Sequence, residues 1–313
     1  MPLNEIAADV FCLPLGFANV YLIGTPVGKW TLVDTGVPGK AAEIRDAAES
    51  VYGEGARPEA ILLTHGHWDH AGSALELAQY WDVPIFVHAL EMPYLTGRSS
   101  YPPPDPTVGG FLALLGRFFK SAPCLLDDWV QALEPGREAP GLEGWEWHHT
   151  PGHSPGHLVF FRRRDGVLLG GDALVTMNMD SLFATALKVQ RVCGPPTPFT
   201  PDWPTAWESV KLIADLRPLV IACGHGIPMS GDKAVRELAE LAANLPMPAH
   251  GRYIPEAART DENGVVWLPP KPADRLPGAM LALGIATAAG TMFAVAARRR
   301  KRSSTADTPE QAS

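Results

Sequence analysis

His65-Gly66-His67-Trp68-Asp69-His70 is a stretch in which four side chains able to bind metal fall within six residues. It follows the apolar run Ile61–Leu63 and precedes Ala71–Tyr80, whose apolar spacing predicts a helix. A strand therefore delivers the four side chains on a tight loop that leads into a helix. Alternate positions of an extended loop point the same way, so the first two histidines can bind one ion while the last two ligands face a second. Imidazole and carboxylate ligands without thiolate are typical of zinc, manganese and iron(II) sites.

Three later segments supply further candidate ligands, each after an apolar, strand-like stretch. They are Thr150–His157, which contains His153 and His157; Gly170–Asp172; and Ala222–Gly226, which contains His225. Upstream, the apolar run Thr31–Val33 ends in the same way, at Asp34. Because strands of a layered sheet end at a common edge, these side chains can converge although they are far apart in the sequence. A histidine-rich surface loop is the alternative, and the apolar strand before His65 argues against it.

In this order, the candidate ligands resemble the five motifs of the metallo-β-lactamase-fold hydrolase superfamily, over roughly residues 1–250. The resemblance implies an α/β fold with αββα layers: two mixed β-sheets face to face, helices on both outer faces, and a dinuclear metal site at one sheet edge. It implies that a first ion takes His65, His67 and His153. By the same resemblance a second ion takes Asp69, His70 and His225, Asp172 bridges the two, and Asp34 orients the metal-binding loop.

Hydrophobic patterning agrees with such a layered domain. Apolar spacing predicts helices over Ala41–Val51, Ala71–Trp81, Thr205–Leu216 and Asp232–Leu245. Asp165-Gly166, between two apolar runs, predicts a hairpin. Strands that alternate with helices indicate an α/β or α+β layered domain.

The composition is that of an ordinary globular chain. Its 313 residues are 46% hydrophobic, which is enough for one substantial core. The net charge of −8 offers no general attraction to nucleic acid, so a small-molecule substrate is expected. The four cysteines are widely spaced and form no Cys-X-X-Cys pair, which predicts free thiols. Cys223 lies two residues before His225, and its place in a strand favours packing over metal binding.

A proline-rich insert at residues 96–140 separates the first motif from the strand before His153. The resemblance places it over the metal site, and we expect a lid that presents Phe111, Leu115 and Phe119 to an apolar part of the substrate. The alternative is that these side chains only pack the insert onto the domain.

The C-terminal region departs from a bare catalytic domain. We expect a proline-rich linker at 251–277, a hydrophobic helix at 278–297 and a basic, then polar, disordered tail at 298–313. The helix is long enough to cross a bilayer, although it is rich in small residues, and it could instead dock on the protein. No secretory signal is recognised at the N-terminus, so a cytoplasmic or membrane-associated location is expected.

The resemblance implies a dinuclear hydrolase that uses a metal-bridging hydroxide, with two divalent ions, zinc favoured over manganese and iron(II). Asp69 would orient the nucleophile and relay a proton, and His157 is a candidate supporting donor. Thr64–Gly72, Thr150–His157 and Cys223–His225 resemble the glyoxalase II-like branch, which indicates an ester, thioester or lactone-type substrate. A lactonase would carry a tyrosine shortly after Asp172, and Ala173–Met177 has none. A mononuclear-iron enzyme like the persulfide dioxygenases and a non-catalytic metal-binding scaffold are the alternatives.

Overall fold

The computed structural model describes residues 3–25, 28–117, 124–136 and 138–273. The chain divides into two units, Met1–Pro272 and Ala273–Ser313. The predicted helix at 278–297 and the predicted tail at 298–313 lie outside the described residues. The first unit extends past the domain boundary expected at residue 250: Tyr253 is buried in it, and the segment after Tyr253 forms a hairpin.

The described residues form strands in two large sheets and two small hairpins. In chain order the strands are β1 (Asn4–Ala7), β2 (Val10–Leu15), β3 (Ala18–Gly24), β4 (Trp30–Val33), β5 (Ile61–Leu62), β6 (Ile85–Val87), β7 (Val130–Ala132), β8 (Trp145–His149), β9 (Leu158–Arg162), β10 (Val167–Leu169), β11 (Val175–Met177), β12 (Gln190–Cys193), β13 (Val220–Ala222), β14 (Met229–Ser230), β15 (Arg259–Asp261) and β16 (Gly264–Trp267).

The helices that accompany these strands are mostly short. They are α1 (Ala41–Tyr52), α2 (Trp68–Ala71), α3 (Ala74–Trp81), α4 (Met92–Leu95), α5 (Gly110–Gly116), α6 (Leu182–Leu187), α7 (Trp203–Asp215) and α8 (Asp232–Ala243), with single 3-10 turns at Ala89–Glu91, Asp127–Trp129 and Thr197–Phe199. The Asp202 side chain caps α7 by accepting from the amide of Thr205 at 3.1 Å, and Pro204 occupies its first turn.

Both large sheets are mixed. The first runs β1-β2-β3-β4-β5-β6-β7, and its strands are antiparallel up to β4 and parallel from β4 to β7. The second runs β14-β13-β10-β9-β8, with one parallel pair, β10 and β13. The predicted hairpin at Asp165-Gly166 is confirmed, since β9 and β10 pair antiparallel across it.

Three buried clusters define the layers of the domain. Alternate residues of each strand face opposite sides, so each sheet contributes to two clusters. The central cluster lies between the sheets and includes Tyr21, Val33, Phe160 and Leu169. One outer cluster packs the first sheet on α1 and α3, and the other packs the second sheet on α7 and α8. This is the expected αββα arrangement, which is therefore confirmed.

The helix predicted over Ala71–Trp81 is interrupted at Gly72 and Ser73, so the prediction of one continuous helix is wrong. The Ser73 hydroxyl donates to the carbonyl of Val37 and accepts from the amide of Lys40 at 2.9 Å. These contacts draw the chain onto the loop after β4. Packing with a segment distant in sequence therefore overrides local helix propensity.

The insert at 96–140 contributes to the sheet as well as to its surroundings. β7 lies within it and pairs in parallel with β6 as the edge strand of the first sheet. α5 contacts the 3-10 turn at Thr197–Phe199. The strand β7 is therefore a feature of the insert that the predicted lid did not include.

All four cysteines have free thiols, as predicted. Among the residues that the structure describes, no helix has both the length and the apolar character needed to cross a membrane.

Candidate metal centre

The candidate ligands lie at one edge of the two facing sheets. The His65–His70 loop follows the central parallel strand β5, and Asp34 follows its neighbour β4. In the second sheet, Asp172 follows β10 and His225 follows β13, the one parallel pair. His153 lies in the turn between β8 and β9. The carboxyl ends of parallel strands therefore gather residues from the whole chain.

Three histidines converge at one end of this edge, which we call the three-histidine end. His65 Nε2 lies 3.0 Å from His67 Nδ1, which lies 2.9 Å from His153 Nε2, and His153 Nε2 is 3.2 Å from His65 Nε2. Two ligand atoms about 2.1 Å from a zinc ion are about 3.0 to 3.4 Å apart when they subtend 90 to 110° at the metal. The three nitrogens therefore fit one divalent ion.

Asp69, His70 and His225 form the second group, which we call the carboxylate end. Asp69 Oδ2 lies 3.4 Å from His225 Nε2 and 3.9 Å from His70 Nε2. The three ligand atoms all lie within 4.8 Å of one another. This spacing also suits one ion, held more openly than at the three-histidine end.

Asp172 lies between the two ends. Its Oδ2 is 3.1 Å from His225 Nε2 and 3.7 Å from His153 Nε2, while its Oδ1 is 3.5 Å from His70 Nε2. Asp172 Oδ1 and His70 Nε2 are buried without a hydrogen-bond partner. Buried polar atoms almost always have a partner. Two such atoms among converging ligands fit a site for metal ions.

Burial and charge act differently at the two ends. Burial lowers the pKa of His67 to about 4 and lowers the pKa values of His65 and His153 well below their usual range. Burial also opposes the charge on His70 and His225, but the nearby carboxylates, Asp172 first, outweigh it and raise both pKa values. The three-histidine end therefore holds neutral imidazoles, whereas the carboxylate end attracts protons when no metal is present.

Asp34 fixes the ring orientation of two of these histidines. Its Oδ2 accepts from His70 Nδ1 at 2.8 Å, and its Oδ1 accepts from the amide of Thr64 at 2.8 Å. The Thr64 hydroxyl donates to Asp34 at 2.9 Å and lies 3.0 Å from His65 Nδ1. With each Nδ1 engaged, the Nε2 atom of both histidines is free to bind metal.

The ligands of the second sheet have supports of their own. His225 Nδ1 donates to the carbonyl of Phe17 at 2.9 Å. His157 Nε2 accepts from the amide of Asp172 at 2.8 Å, and its Nδ1 lies 2.9 Å from the Thr150 hydroxyl. Burial lowers the pKa of His157 to about 3, so the ring is neutral and can accept this bond. His157 thus contacts the backbone of Asp172.

Sequence reasoning missed Glu91, in the 3-10 turn after β6. Its side chain is fully buried and accepts from four donors, which are the amides of Gly66 and Gly156 and the hydroxyls of Ser154 and Tyr101. Burial raises the pKa of Glu91, and these hydrogen bonds counteract it. A lone glutamate after a short strand carries no motif, so no sequence signal could have identified this role.

Aromatic rings surround the ligands. Tyr101 meets His67 edge to face at 4.6 Å between ring centroids, and Phe199 lies 6.3 Å from the same ring. Phe17 stacks on His225 at 5.9 Å and contacts Trp68 at 5.8 Å. Phe17 is 44% exposed. The region around the ligands therefore presents apolar surface beside the metal-binding groups.

The three residues predicted for the lid do not share one environment. Phe111 is only 9% exposed, and its amide donates to the carbonyl of Asp180. Leu115 is partly buried in α5. Phe119 lies outside the described residues. α5 reaches the surroundings of the ligands through the turn that carries Phe199.

Cys223 and three further histidines lie outside the two ends and are not grouped with Asp172 as ligands. Cys223 is buried in the cluster under α7 and α8, and it packs rather than facing the ligands. His149 stacks on His88 at 4.0 Å and lies 2.8 Å from the carbonyl of Pro155. His148 lies 3.3 Å from Glu146.

Comparisons with known proteins identify the family of this chain. The family model of the metallo-beta-lactamase superfamily matches residues 13–225. The probable metallo-hydrolase YflN of Bacillus subtilis (strain 168) is 41% identical over 244 residues, which are 77% of this chain and 92% of that protein. The hydroxyacylglutathione hydrolase of Xanthomonas euvesicatoria pv. vesicatoria (strain 85-10) is 26% identical, over 63% of this chain and 56% of that protein. The crystal structure of TTHA1623 in a di-iron-bound form matches with a TM-score of 0.51 and 25% identity, over 75% of this chain and 97% of that chain.

Proposed function

The chain belongs to the metallo-beta-lactamase superfamily and is a metallo-hydrolase, and we propose that it holds two divalent metal ions and hydrolyses an ester, thioester or lactone-type small molecule. The observation that carries this proposal is the position of Asp172. Its two oxygens face both ligand groups, 3.5 Å from His70 and 3.1 and 3.7 Å from His225 and His153. A carboxylate in this place can share its oxygens between two ions, which supports a dinuclear centre over a mononuclear one.

We assign one ion to the three-histidine end and one to the carboxylate end, with Asp172 between them. The ligands are His65, His67 and His153 for the first ion, and Asp69, His70 and His225 for the second. Nitrogen and carboxylate donors without thiolate favour zinc, while the di-iron form of TTHA1623 keeps iron in consideration. Bound divalent ions would lower the pKa of a coordinated water to about 7 and polarise a carbonyl.

Asp69 is the residue to which we assign proton transfer. Its side chain is 15% exposed, so part of it can be reached from solvent. Its Oδ2 faces His70 and His225, which leaves the other oxygen to orient the attacking water. The same carboxylate can then carry a proton to the leaving alkoxide or thiolate. Asp34 and His157 take no part in the proton transfer; they hold His70 and the backbone of Asp172 in place.

The aromatic surroundings support an apolar acyl group on the substrate. Phe17 and Phe199 flank opposite ligand groups, on His225 and His67. The named activity of the Xanthomonas relative supports thioesters as the first class to test. The lid stays a proposal: Phe119→Asp is expected to raise KM for long acyl groups, and unchanged kinetics on every substrate would remove the lid from the proposal.

The test combines metal analysis with a substrate panel. Anaerobic purification followed by elemental analysis is expected to give two ions per chain. Thioesters, lactones, carboxyl esters and phosphodiesters are then compared, with Asp172→Ala as the matched control. Turnover of a carbonyl ester that is lost in Asp172→Ala supports the proposal. Equal turnover by the control overturns the site.

The same metal analysis distinguishes hydrolysis from the alternative function, that of a mononuclear-iron oxygenase. His65, His70 and Asp172 also form a group of two histidines and one carboxylate, the ligand set of many non-haem iron oxygenases. One iron per chain, with oxygen consumption on a persulfide substrate, would favour that reaction over hydrolysis.

A further inference from the structure

Glu91 joins loops from both sheets at the three-histidine end. Its Oε2 accepts from the amide of Gly66 at 3.0 Å, between His65 and His67. Its Oε1 accepts from the Ser154 hydroxyl at 2.8 Å and from the amide of Gly156 at 2.7 Å, in the loop that carries His153. The first loop follows β5 of the first sheet, and the second connects β8 and β9 of the second sheet. One carboxylate therefore ties together the two segments that supply all three histidines.

The backbone approaches Glu91 and Tyr101 closely at two glycines. A Cβ atom at Gly156 would lie 2.8 Å from Glu91 Cγ, and one at Gly66 would lie 2.4 Å from the Tyr101 hydroxyl. Only glycine leaves room for these approaches. The Tyr101 hydroxyl donates to Glu91 Oε2, while the ring of the same tyrosine contacts His67. Both loops and the wall beside His67 thus meet at a single buried side chain.

All four partners of Glu91 donate to it, and two of them, the backbone amides of Gly66 and Gly156, can only donate, one to each carboxylate oxygen. A carboxylate only accepts hydrogen bonds, whereas the NH2 group of a glutamine would face one of these two backbone N–H groups, which cannot accept. A buried donor that loses its acceptor is costly, so the two loops would shift to find other partners. A shift of either loop changes the spacing of the three nitrogens.

We propose that Glu91 is a positioning residue that sets the geometry of the three-histidine end by fixing the His65–His67 loop against the His153 loop. This inference rests on the proposed metal centre. Asp34 has the corresponding place on the other side of β5, because it follows β4 and contacts His70, whereas Glu91 follows β6. The ligand loop of β5 is thereby held by a carboxylate from each neighbouring strand.

The experiment measures zinc affinity in two parent variants, each of which keeps only one end of the proposed metal centre intact. His70→Ala disables the carboxylate end, and His67→Ala disables the three-histidine end. In the His70→Ala background, Glu91→Gln is expected to lower zinc affinity about 10- to 100-fold, measured by chelator competition at pH 8. In the His67→Ala background the same substitution is expected to change affinity less than about twofold. Asp34→Asn is the matched control, and its larger effect should fall in the His67→Ala background.

Thermal unfolding of each metal-free variant separates positioning from general stability. Equal losses of affinity in both backgrounds would indicate a general structural role and overturn the inference, as would unchanged affinity in the His70→Ala background. A parent chain that binds no metal overturns the proposed function and the inference together, whereas two ions in the parent with no effect of Glu91→Gln overturn the inference alone.

If Glu91→Gln does not fold, variants that each remove one hydrogen-bond donor to Glu91 provide the same test. Tyr101→Phe keeps the ring on His67 and removes only the hydroxyl, and Ser154→Ala removes the other hydroxyl. Each is expected to lower zinc affinity about 2- to 5-fold in the His70→Ala background alone. No change in either variant overturns the inference.

Discussion

The two ends of the proposed metal centre differ in charge and in what holds them. At the three-histidine end, burial lowers the pKa values of the ligands, and Glu91 fixes their loops through backbone and hydroxyl groups. At the carboxylate end, acidic neighbours raise the pKa values of His70 and His225, and the support goes directly to imidazole rings. The first end is thus arranged as neutral donors, whereas the second must release protons before it can bind metal.

In the proposed dinuclear centre, this difference predicts that the two ions have unequal affinities. The three-histidine end has its donors ready at neutral pH, so its ion is expected to bind first. The carboxylate end is expected to exchange protons for metal, so its affinity should depend more strongly on pH. Substitutions and pH changes can therefore be directed at one end at a time.

The largest effect is expected where the two ends meet. Asp172→Asn removes the negative charge and leaves one oxygen in place of two, so the ions can no longer share it. We expect kcat/KM to fall about 10³-fold, which corresponds to roughly 4 kcal/mol of transition-state stabilisation. Steady-state kinetics and elemental analysis of the same sample measure this. Retention of both ions with full activity would show that Asp172 does not join the ends.

A smaller effect is expected from Asp34→Asn, which acts at the carboxylate end. The amide no longer offers a charged acceptor to His70 Nδ1, so this ring is held less firmly in its orientation and becomes less basic. Affinity for the second equivalent of zinc should fall about 10- to 100-fold, with a smaller loss for the first equivalent, because Asp34 reaches His65 only through the Thr64 hydroxyl. Competition titrations resolve the two steps. Equal weakening of both would remove the distinction between the ends.

The third prediction compares the two ends by the protons that their histidines hold. In the metal-free protein, the raised pKa values of His70 and His225 stabilise the fold below their unfolded value of about 6.5. That contribution is lost as pH rises through the folded pKa values. The melting temperature of the metal-free protein should therefore fall from about pH 6.5 upward, while affinity for the second ion rises about tenfold per pH unit for each proton released.

Calorimetry in buffers of different ionisation enthalpy checks the proton count. The second equivalent should release protons, and the first should release almost none. Identical proton release for both equivalents would contradict the assignment of charge to the two ends.

The smallest effect is expected from Phe17→Ala, which removes a ring beside His225 but keeps the backbone carbonyl that accepts from its Nδ1. Loss of about 1 kcal/mol of apolar contact would raise KM for long acyl substrates roughly 5-fold. Short acyl substrates should be unaffected. Tyr80→Ala on α3, an exposed ring away from the ligands, serves as the control. An equal change in that control would assign the effect to stability.

The parts of the fold predicted from the sequence are those set by local periodicity. α1, α7 and α8 begin and end within two residues of the predicted helices, because their apolar stripes are local, as is the Asp202 cap of α7. The break before α3 was not predicted, since it depends on contacts of Ser73 with the loop after β4. β7 was missed as well, because a three-residue edge strand has too little pattern to recognise and exists through its pairing with β6.

The amino-acid sequence by itself determined the ligand types, their order along the chain and the layered α/β class, because a compact motif and hydrophobic periodicity are local properties. Only the tertiary structure decided how the single residues His153, Asp172 and His225 meet the His65–His70 loop, and which groups support them. The carbonyl of Phe17 and the carboxylate of Glu91 act on ligands from other strands. Such contacts are created when two sheets pack face to face, and no spacing along one chain segment encodes them.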